Sequence, residues 1–170
     1  FREMAPRMAR KNMFLDKNNK QVKERSLTGA LAVGTPGLVA GVLQVHKSYG
    51  SLPLSTIMKP AIDLAYNGFI IYPALAKAIS YSAKRLCKFD SSKEIFLDKN
   101  CEPKKQGDLL IQKDLAKTLI MIRDHGVDSF YKGEIAKLIV ESQRKYNGLL
   151  TMKDLKHYKV KNRKPIIGSF

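Results

Sequence analysis

The stretch Gly34-Thr35-Pro36-Gly37-Leu38-Val39-Ala40-Gly41 places a turn directly before an apolar segment and predicts the first clear helix. Thr35 is expected to cap this helix, Pro36 suits its first turn, and Gly50 suits its end. The turn also has the form of an anion cradle, since helix amides point outward there. A tight turn that feeds a close-packed helix is the simpler interpretation. Three apolar residues fall on one face of the helix: Leu38, Val42 and Val45.

Outward from this helix, apolar residues recur at helical spacing along most of the chain. Pro60 interrupts the next helix and predicts a kink or two short helices, and Gly126 is expected to end a later one. Thr151 and Asp154 have the spacing of a capping box. Residues 158–167 suggest an extended strand, and residues 98–110 a loop with extended pieces. Helices are therefore expected over residues 54–67, 73–88, 113–125 and 133–146, with a helical turn at 128–131.

The length and composition allow one domain with a hydrophobic core, and the high positive net charge has two possible explanations. The chain has 170 residues, 44% of them hydrophobic, and a formal net charge of +16. Such a charge is compatible with a basic helical nucleic-acid-binding module. Lysines outnumber arginines 23 to 8 and are spread along the chain, with mild concentrations at residues 2–25 and 153–164. Because recognition of phosphates and bases favours arginine, a solvated lysine-rich surface is the preferred interpretation.

Titratable and nucleophilic residues form no recognisable catalytic or metal motif. Cys87 and Cys101 lie outside any CxxC pair, so the sequence leaves open two ordinary thiols, which we favour, or a disulfide. None of the three histidines has a second ligand at helical spacing. We therefore expect no metal and no cofactor. No apolar run approaches the roughly 18 residues that span a membrane.

A series of short segments, spread in order over the whole chain, is more specific than any single motif. The glycine-rich stretch at residues 34–41 is one of them. The others are FREMAP at 1–6, NMFLD at 12–16, KSYG at 47–50, PAIDLA at 60–65, GF at 68–69, GD at 107–108, QKDLAKTL at 112–119, FYKG at 130–133, GLLT at 148–151, DL at 154–155, Tyr158 and RKPIIGS at 163–169. Together they resemble the γ-glutamyltranspeptidase (glutathione hydrolase) family.

The resemblance implies an α+β chain that is the mainly helical, incomplete portion of an N-terminal-nucleophile hydrolase fold, an αββα sandwich. It implies that residues 1–170 are a single partial domain of the large subunit of a proenzyme that cleaves itself. The parent enzyme would hydrolyse glutathione and transfer its γ-glutamyl group to water, amino acids or peptides. An acylase of the same superfamily is the close competitor. Family members are commonly periplasmic or extracellular, although no signal segment is visible in this chain.

The resemblance carries one binding residue over to this sequence. Arg2 matches the family arginine that holds the α-carboxylate of the γ-glutamyl group, and guanidinium offers a carboxylate two parallel hydrogen bonds. Glu3 is a candidate neighbour that orients Arg2. No catalytic residue is assigned, because the nucleophilic threonine belongs to the small subunit in the family and nothing in this sequence matches it. The isolated chain is therefore expected to be an inactive internal fragment with exposed apolar faces and poor solubility.

Overall fold

The computed structural model describes residues 2–168, which form two compact units. The terminal unit combines the residues up to Ser51 with those from His125 onward, and the central unit is Leu52–Asp124. Phe1, which begins the FREMAP segment, and residues 169–170, the first of which ends the RKPIIGS segment, lie outside the described residues. No helix within residues 2–168 combines the length and hydropathy needed to cross a bilayer.

Helices dominate both units, as the periodicity predicts. The terminal unit contains a short 3-10 turn at Ala30–Ala32, and the central unit contains a single pair of short strands. The α-helices are α1 (Lys23–Leu27), α2 (Leu38–Tyr49), α3 (Leu54–Asn67), α4 (Pro73–Leu86), α5 (Asp90–Phe96), α6 (Lys113–Tyr131), α7 (Glu134–Lys145) and α8 (Met152–Lys156). The mainly helical α+β prediction is therefore confirmed for the described residues. α1 and α5 were not predicted, because both are too short for periodicity to show.

Gly126 interrupts α6, with φ 66° and ψ −153°. This left-handed backbone suits glycine and ends the regular helix there. The predicted stop at Gly126 and the separate helical turn at 128–131 are confirmed. The interruption falls two residues beyond Asp124, where the central unit ends along the chain.

Of the two outcomes expected at Pro60, the division into two short helices is wrong, and the kink stays a prediction. α3 runs without a break through Pro60. Proline removes the one N–H that would bond to the carbonyl four residues earlier, and its ring crowds that carbonyl. Ile62 and Ala65 are buried beyond it, and their burial favours continuation of the helix.

The start of α2 also differs from the prediction. Gly37 is the N-cap residue, and no side chain caps the helix. Thr35 is 2% exposed and lies in a β-bridge to Met4 instead. The apolar face of Leu38, Val42 and Val45 is exposed in the structure, and the residues of α2 that pack inward are Val39 and Ala40.

The core of the terminal unit forms where α2, α6, α7 and α8 meet. Ala136 and Leu155 are fully buried there. Thr151 and Asp154 form the predicted capping box at the start of α8, which fixes this short helix against the core. The buried members of the core are Ala40, Tyr131, Ala136, Val140, Leu150 and Leu155.

The central unit has its own core, built around Ile71 and the strand pair. β1 (Phe69–Ile70) and β2 (Leu109–Leu110) run antiparallel, with Phe69 opposite Leu110. Cys87 and Cys101 form a disulfide with a Cα–Cα distance of 5.6 Å, so the preferred interpretation of two free thiols is wrong. The pairing requires α4 to end close to the loop at residue 101, which the sequence does not reveal.

The predicted strand after α8 is not formed. Residues 158–168 are neither helical nor paired in a sheet. A β-strand needs a hydrogen-bonded neighbour. No strand lies beside this segment in the described part of the terminal unit.

Candidate functional site

A cavity of about 380 Å³ in the terminal unit brings the two predicted site residues together. Arg2 and Glu3 both line it, with Tyr158 from the segment after α8. The side chains of Arg2 and Glu3 are exposed. They form no ion pair with each other, so the orientation of Arg2 by Glu3 stays a prediction.

The Arg2 segment is held first by the turn before α2. Met4 and Thr35 form an isolated antiparallel bridge. The Met4 N–H donates to the Thr35 carbonyl oxygen at 3.2 Å, and the Thr35 N–H donates to the Met4 carbonyl oxygen at 2.7 Å. The glycine-rich turn therefore positions the chain that carries Arg2.

Two stacked tyrosines hold both the turn and the Arg2 backbone. The Tyr158 hydroxyl donates to the carbonyl oxygen of Arg2 at 2.8 Å. Its ring stacks on Tyr131, with centroids 5.4 Å apart and planes 14° from parallel. The Tyr131 hydroxyl donates to the Pro36 carbonyl oxygen at 2.7 Å and accepts from the Ala40 N–H at 3.3 Å. Burial raises the pKa of Tyr131, which keeps its hydroxyl protonated as a donor.

Gly37 is required for this arrangement. A Cβ at this position would lie 2.7 Å from the Arg2 carbonyl oxygen and would collide with the Tyr158 hydroxyl. Protein groups therefore occupy the space in front of the turn and bond to it. This supports the simpler interpretation of the turn, close backbone packing, over that of an anion cradle.

A third anchor lies at Asp154, which is 6% exposed. Its Oδ1 accepts from the Arg7 N–H at 2.8 Å, and its Oδ2 accepts from the Thr151 N–H at 2.8 Å and the Thr151 hydroxyl at 2.6 Å. Burial alone would raise the pKa of Asp154. The hydrogen bonds from Thr151 and Arg7 and the charge of Arg7 together lower it below its ordinary value.

This anchor predicts a specific loss of stability in acid. The folded pKa of Asp154 lies below the ordinary 3.8, so its carboxylate stabilises the fold. That contribution is fully present above about pH 4 and is lost as the pH falls through the folded pKa. Asp154→Asn should lower the unfolding free energy at pH 7 by about 1 kcal/mol. It should also flatten the fall in unfolding free energy between pH 5 and about pH 2, measured by urea denaturation.

Asp114→Asn is the matched control, because the Asp114 side chain is 95% exposed. It should leave the acid dependence close to that of the unmodified protein. An Asp154→Asn variant with an unchanged acid profile would contradict the role of this anchor.

Sequence reasoning missed three basic residues that share the cavity with Arg2. They are Lys159, Lys161 and Arg163. Their spacing of i, i+2 and i+4 within the basic stretch at residues 153–164 was the available signal. The histidines are not brought together, and no group of His, Cys, Asp or Glu within residues 2–168 has the arrangement of a metal site.

A family model described as gamma-glutamyltranspeptidase matches residues 1–170. The chain is 46% identical to a glutathione hydrolase proenzyme of Escherichia coli (strain K12) over 171 residues, covering 100% of this chain and 29% of that protein. It is 41% identical to the glutathione hydrolase proenzyme of Bacillus subtilis (strain 168) over 170 residues, covering 99% of this chain and 29% of that protein.

A crystal structure of Helicobacter pylori gamma-glutamyltranspeptidase matches the fold. The TM-score is 0.95 at 45% sequence identity, and the match covers 100% of this chain and 49% of that one. The chain therefore spans less than a third of the length of the two curated relatives and about half of this solved chain.

Proposed function

The chain belongs to the γ-glutamyltranspeptidase family, and we propose that the whole protein carrying it hydrolyses glutathione and transfers its γ-glutamyl group to water, amino acids or peptides. Residues 1–170 would be part of the large subunit and would contribute substrate binding. The nucleophilic threonine would come from the small subunit of the same proenzyme. Alone, the chain would therefore be inactive.

The observation that carries this proposal is the cavity at Arg2. The backbone of the Arg2 segment is fixed at Arg2, Met4 and Arg7 by bonds to three separate parts of the terminal unit. Arg2 lines the cavity, and its guanidinium has no carboxylate partner among residues 2–168. Guanidinium on a fixed backbone suits the α-carboxylate of a γ-glutamyl group, because the planar fork binds both oxygens.

Binding that end of the substrate would aid the chemistry at the other end. A γ-glutamyl group held by its α-carboxylate places its γ-carbonyl at a set distance from Arg2. The threonine hydroxyl would attack that carbonyl, with its own amine as base, and would release the amine of the leaving group. Water or an acceptor amine would then take the acyl group. Glu3 would orient Arg2 from within the same cavity.

We further propose a periplasmic or extracellular location. The disulfide between Cys87 and Cys101 supports it, because structural disulfides persist mainly in oxidising compartments. The location is independent of the catalytic proposal and would be tested by fractionating cells that express the whole protein.

Two other functions are less well supported. The relatives above are both glutathione hydrolase proenzymes, which favours γ-glutamyl amides over the substrate of the competing acylase. The basic nucleic-acid-binding alternative is not favoured, because the family model described as gamma-glutamyltranspeptidase matches residues 1–170. It would predict DNA binding that weakens steeply between 50 mM and 200 mM salt.

The decisive experiment is an assay of the purified whole protein with glutathione and with a short DNA duplex. We expect glutamate release from glutathione and no salt-sensitive DNA binding. Failure to release glutamate from any γ-glutamyl amide by the fully processed protein would overturn the proposal.

A further inference from the structure

The segment that follows α8 carries three basic residues on alternate positions, and Lys164 directly follows the last of them. Lys159, Lys161 and Arg163 line the cavity at Arg2, whereas Val160 packs against the core of the terminal unit. Three cations are thereby brought to the cavity that already holds Arg2.

The charge in this cavity is unbalanced. Four cationic side chains line it, with Glu3 as its one carboxylate. Some exposed lysines elsewhere pair with acidic residues one helical turn away, as Lys117 does with Asp114 and Lys132 with Asp128. The four cations of the cavity form no ion pair with any carboxylate of residues 2–168. Like charges that converge without counterions favour binding of an anion.

The size of the cavity indicates the kind of anion. A volume of about 380 Å³ lies in the range of small-molecule sites. One carboxylate would use Arg2 alone, which leaves three cations for a second negative group on the same molecule. A γ-glutamyl peptide with a free terminal carboxylate has two such groups.

We propose that Lys159, Lys161 and Arg163 form a second anion subsite, which makes γ-glutamyl compounds with a second carboxylate the preferred substrate class. This inference rests on the proposed role of Arg2. Arg2 would bind the α-carboxylate of the γ-glutamyl group, and the three other cations would attract the carboxylate of the leaving group. Neutral γ-glutamyl amides would use Arg2 only.

The test compares γ-glutamylglycine with γ-glutamylglycinamide, which differ in the second carboxylate. Glutamate release by the whole protein is measured for both, and each variant is compared with the unmodified protein on the same substrate, so that leaving-group reactivity cancels. We expect Lys161→Gln/Arg163→Gln to lower kcat/KM for γ-glutamylglycine about fivefold, mainly through KM. The change in kcat/KM for γ-glutamylglycinamide should be less than twofold. Salt at about 0.5 M should reduce the preference of the unmodified protein for γ-glutamylglycine over γ-glutamylglycinamide, because it screens the charges.

Lys77→Gln/Arg85→Gln is the charge-matched control, because both residues are exposed on α4 and neither lines the cavity. This control should leave kcat/KM unchanged for both substrates. Suppose that Arg2 variants lower kcat/KM for both substrates. If Lys161→Gln/Arg163→Gln then lowers kcat/KM equally for both substrates, or for neither, the subsite is overturned. If Arg2 variants are also without effect, the proposed function itself fails.

Discussion

Arg2→Ala in the whole protein should lower kcat/KM for glutathione about a hundredfold. Two charge-assisted hydrogen bonds to a carboxylate are each worth about 1.5 kcal/mol or more, and every 1.4 kcal/mol is about tenfold. Arg2→Lys should retain part of the activity, because lysine keeps the charge but not the planar fork. The backbone contacts that hold this segment involve the Arg2 carbonyl oxygen and not its side chain, so the fold should persist.

A substrate that lacks the α-carboxylate makes the result specific. An amide of 4-aminobutyrate has the same reacting carbonyl without that group. The unmodified protein should strongly prefer the γ-glutamyl amide, whereas Arg2→Ala should lose most of the preference. Arg10→Ala is the control, since Arg10 is an exposed arginine of the same segment that does not line the cavity. If Arg2→Ala preferred the γ-glutamyl amide over the 4-aminobutyrate amide as strongly as the unmodified protein does, Arg2 would be excluded as the carboxylate-binding residue.

Replacing both cysteines by serine should lower the unfolding free energy by about 3 kcal/mol. The disulfide closes a loop between residues 14 apart, and cross-linking a loop of about 15 residues restricts the unfolded chain by that amount. In the folded state it joins the end of α4 to residue 101, and both cysteines pack beside the core of the central unit. Denaturant titration of the oxidised protein and of Cys87→Ser/Cys101→Ser measures the difference.

Reductant provides the internal control for this prediction. It should destabilise the unmodified protein to the level of the double variant and leave that variant unchanged. Each single replacement should match the double, since either one removes the cross-link. Equal stability of the oxidised and reduced proteins would show that the cross-link does not stabilise the fold.

Local patterns predicted the elements whose causes lie within a few residues. The helices over residues 73–88 and 133–146, the stop at Gly126 and the capping box at Thr151 depend on spacing along the chain, and the structure has them. Thr35 shows where this reasoning fails. Its type and position suit a helix cap, but a bridge to Met4, remote in sequence, takes its backbone into the interior.

In the candidate site, too, some features could be predicted from the sequence and others could not. Resemblance singled out Arg2 and Glu3, and the alternation of basic residues after α8 was visible in the sequence. The bond from Tyr158 to Arg2 joins residues 156 positions apart, and the stack of Tyr158 on Tyr131 joins the segment after α8 to the end of α6. No local pattern can predict such pairs.

The sequence was thus sufficient to predict the family, the mainly helical content and an arginine suited to a carboxylate. The helices depend on residues close together in the chain, and the family and the arginine depend on residues shared with the family's segments. Only the tertiary structure decided that Cys87 meets Cys101 and that Arg2 shares a cavity with Lys159, Lys161 and Arg163. The physical reason is the same in both cases. These groups come together when the cores of the two units form, and burial of apolar side chains, which has no direction of its own, sets the distances between residues far apart in the chain.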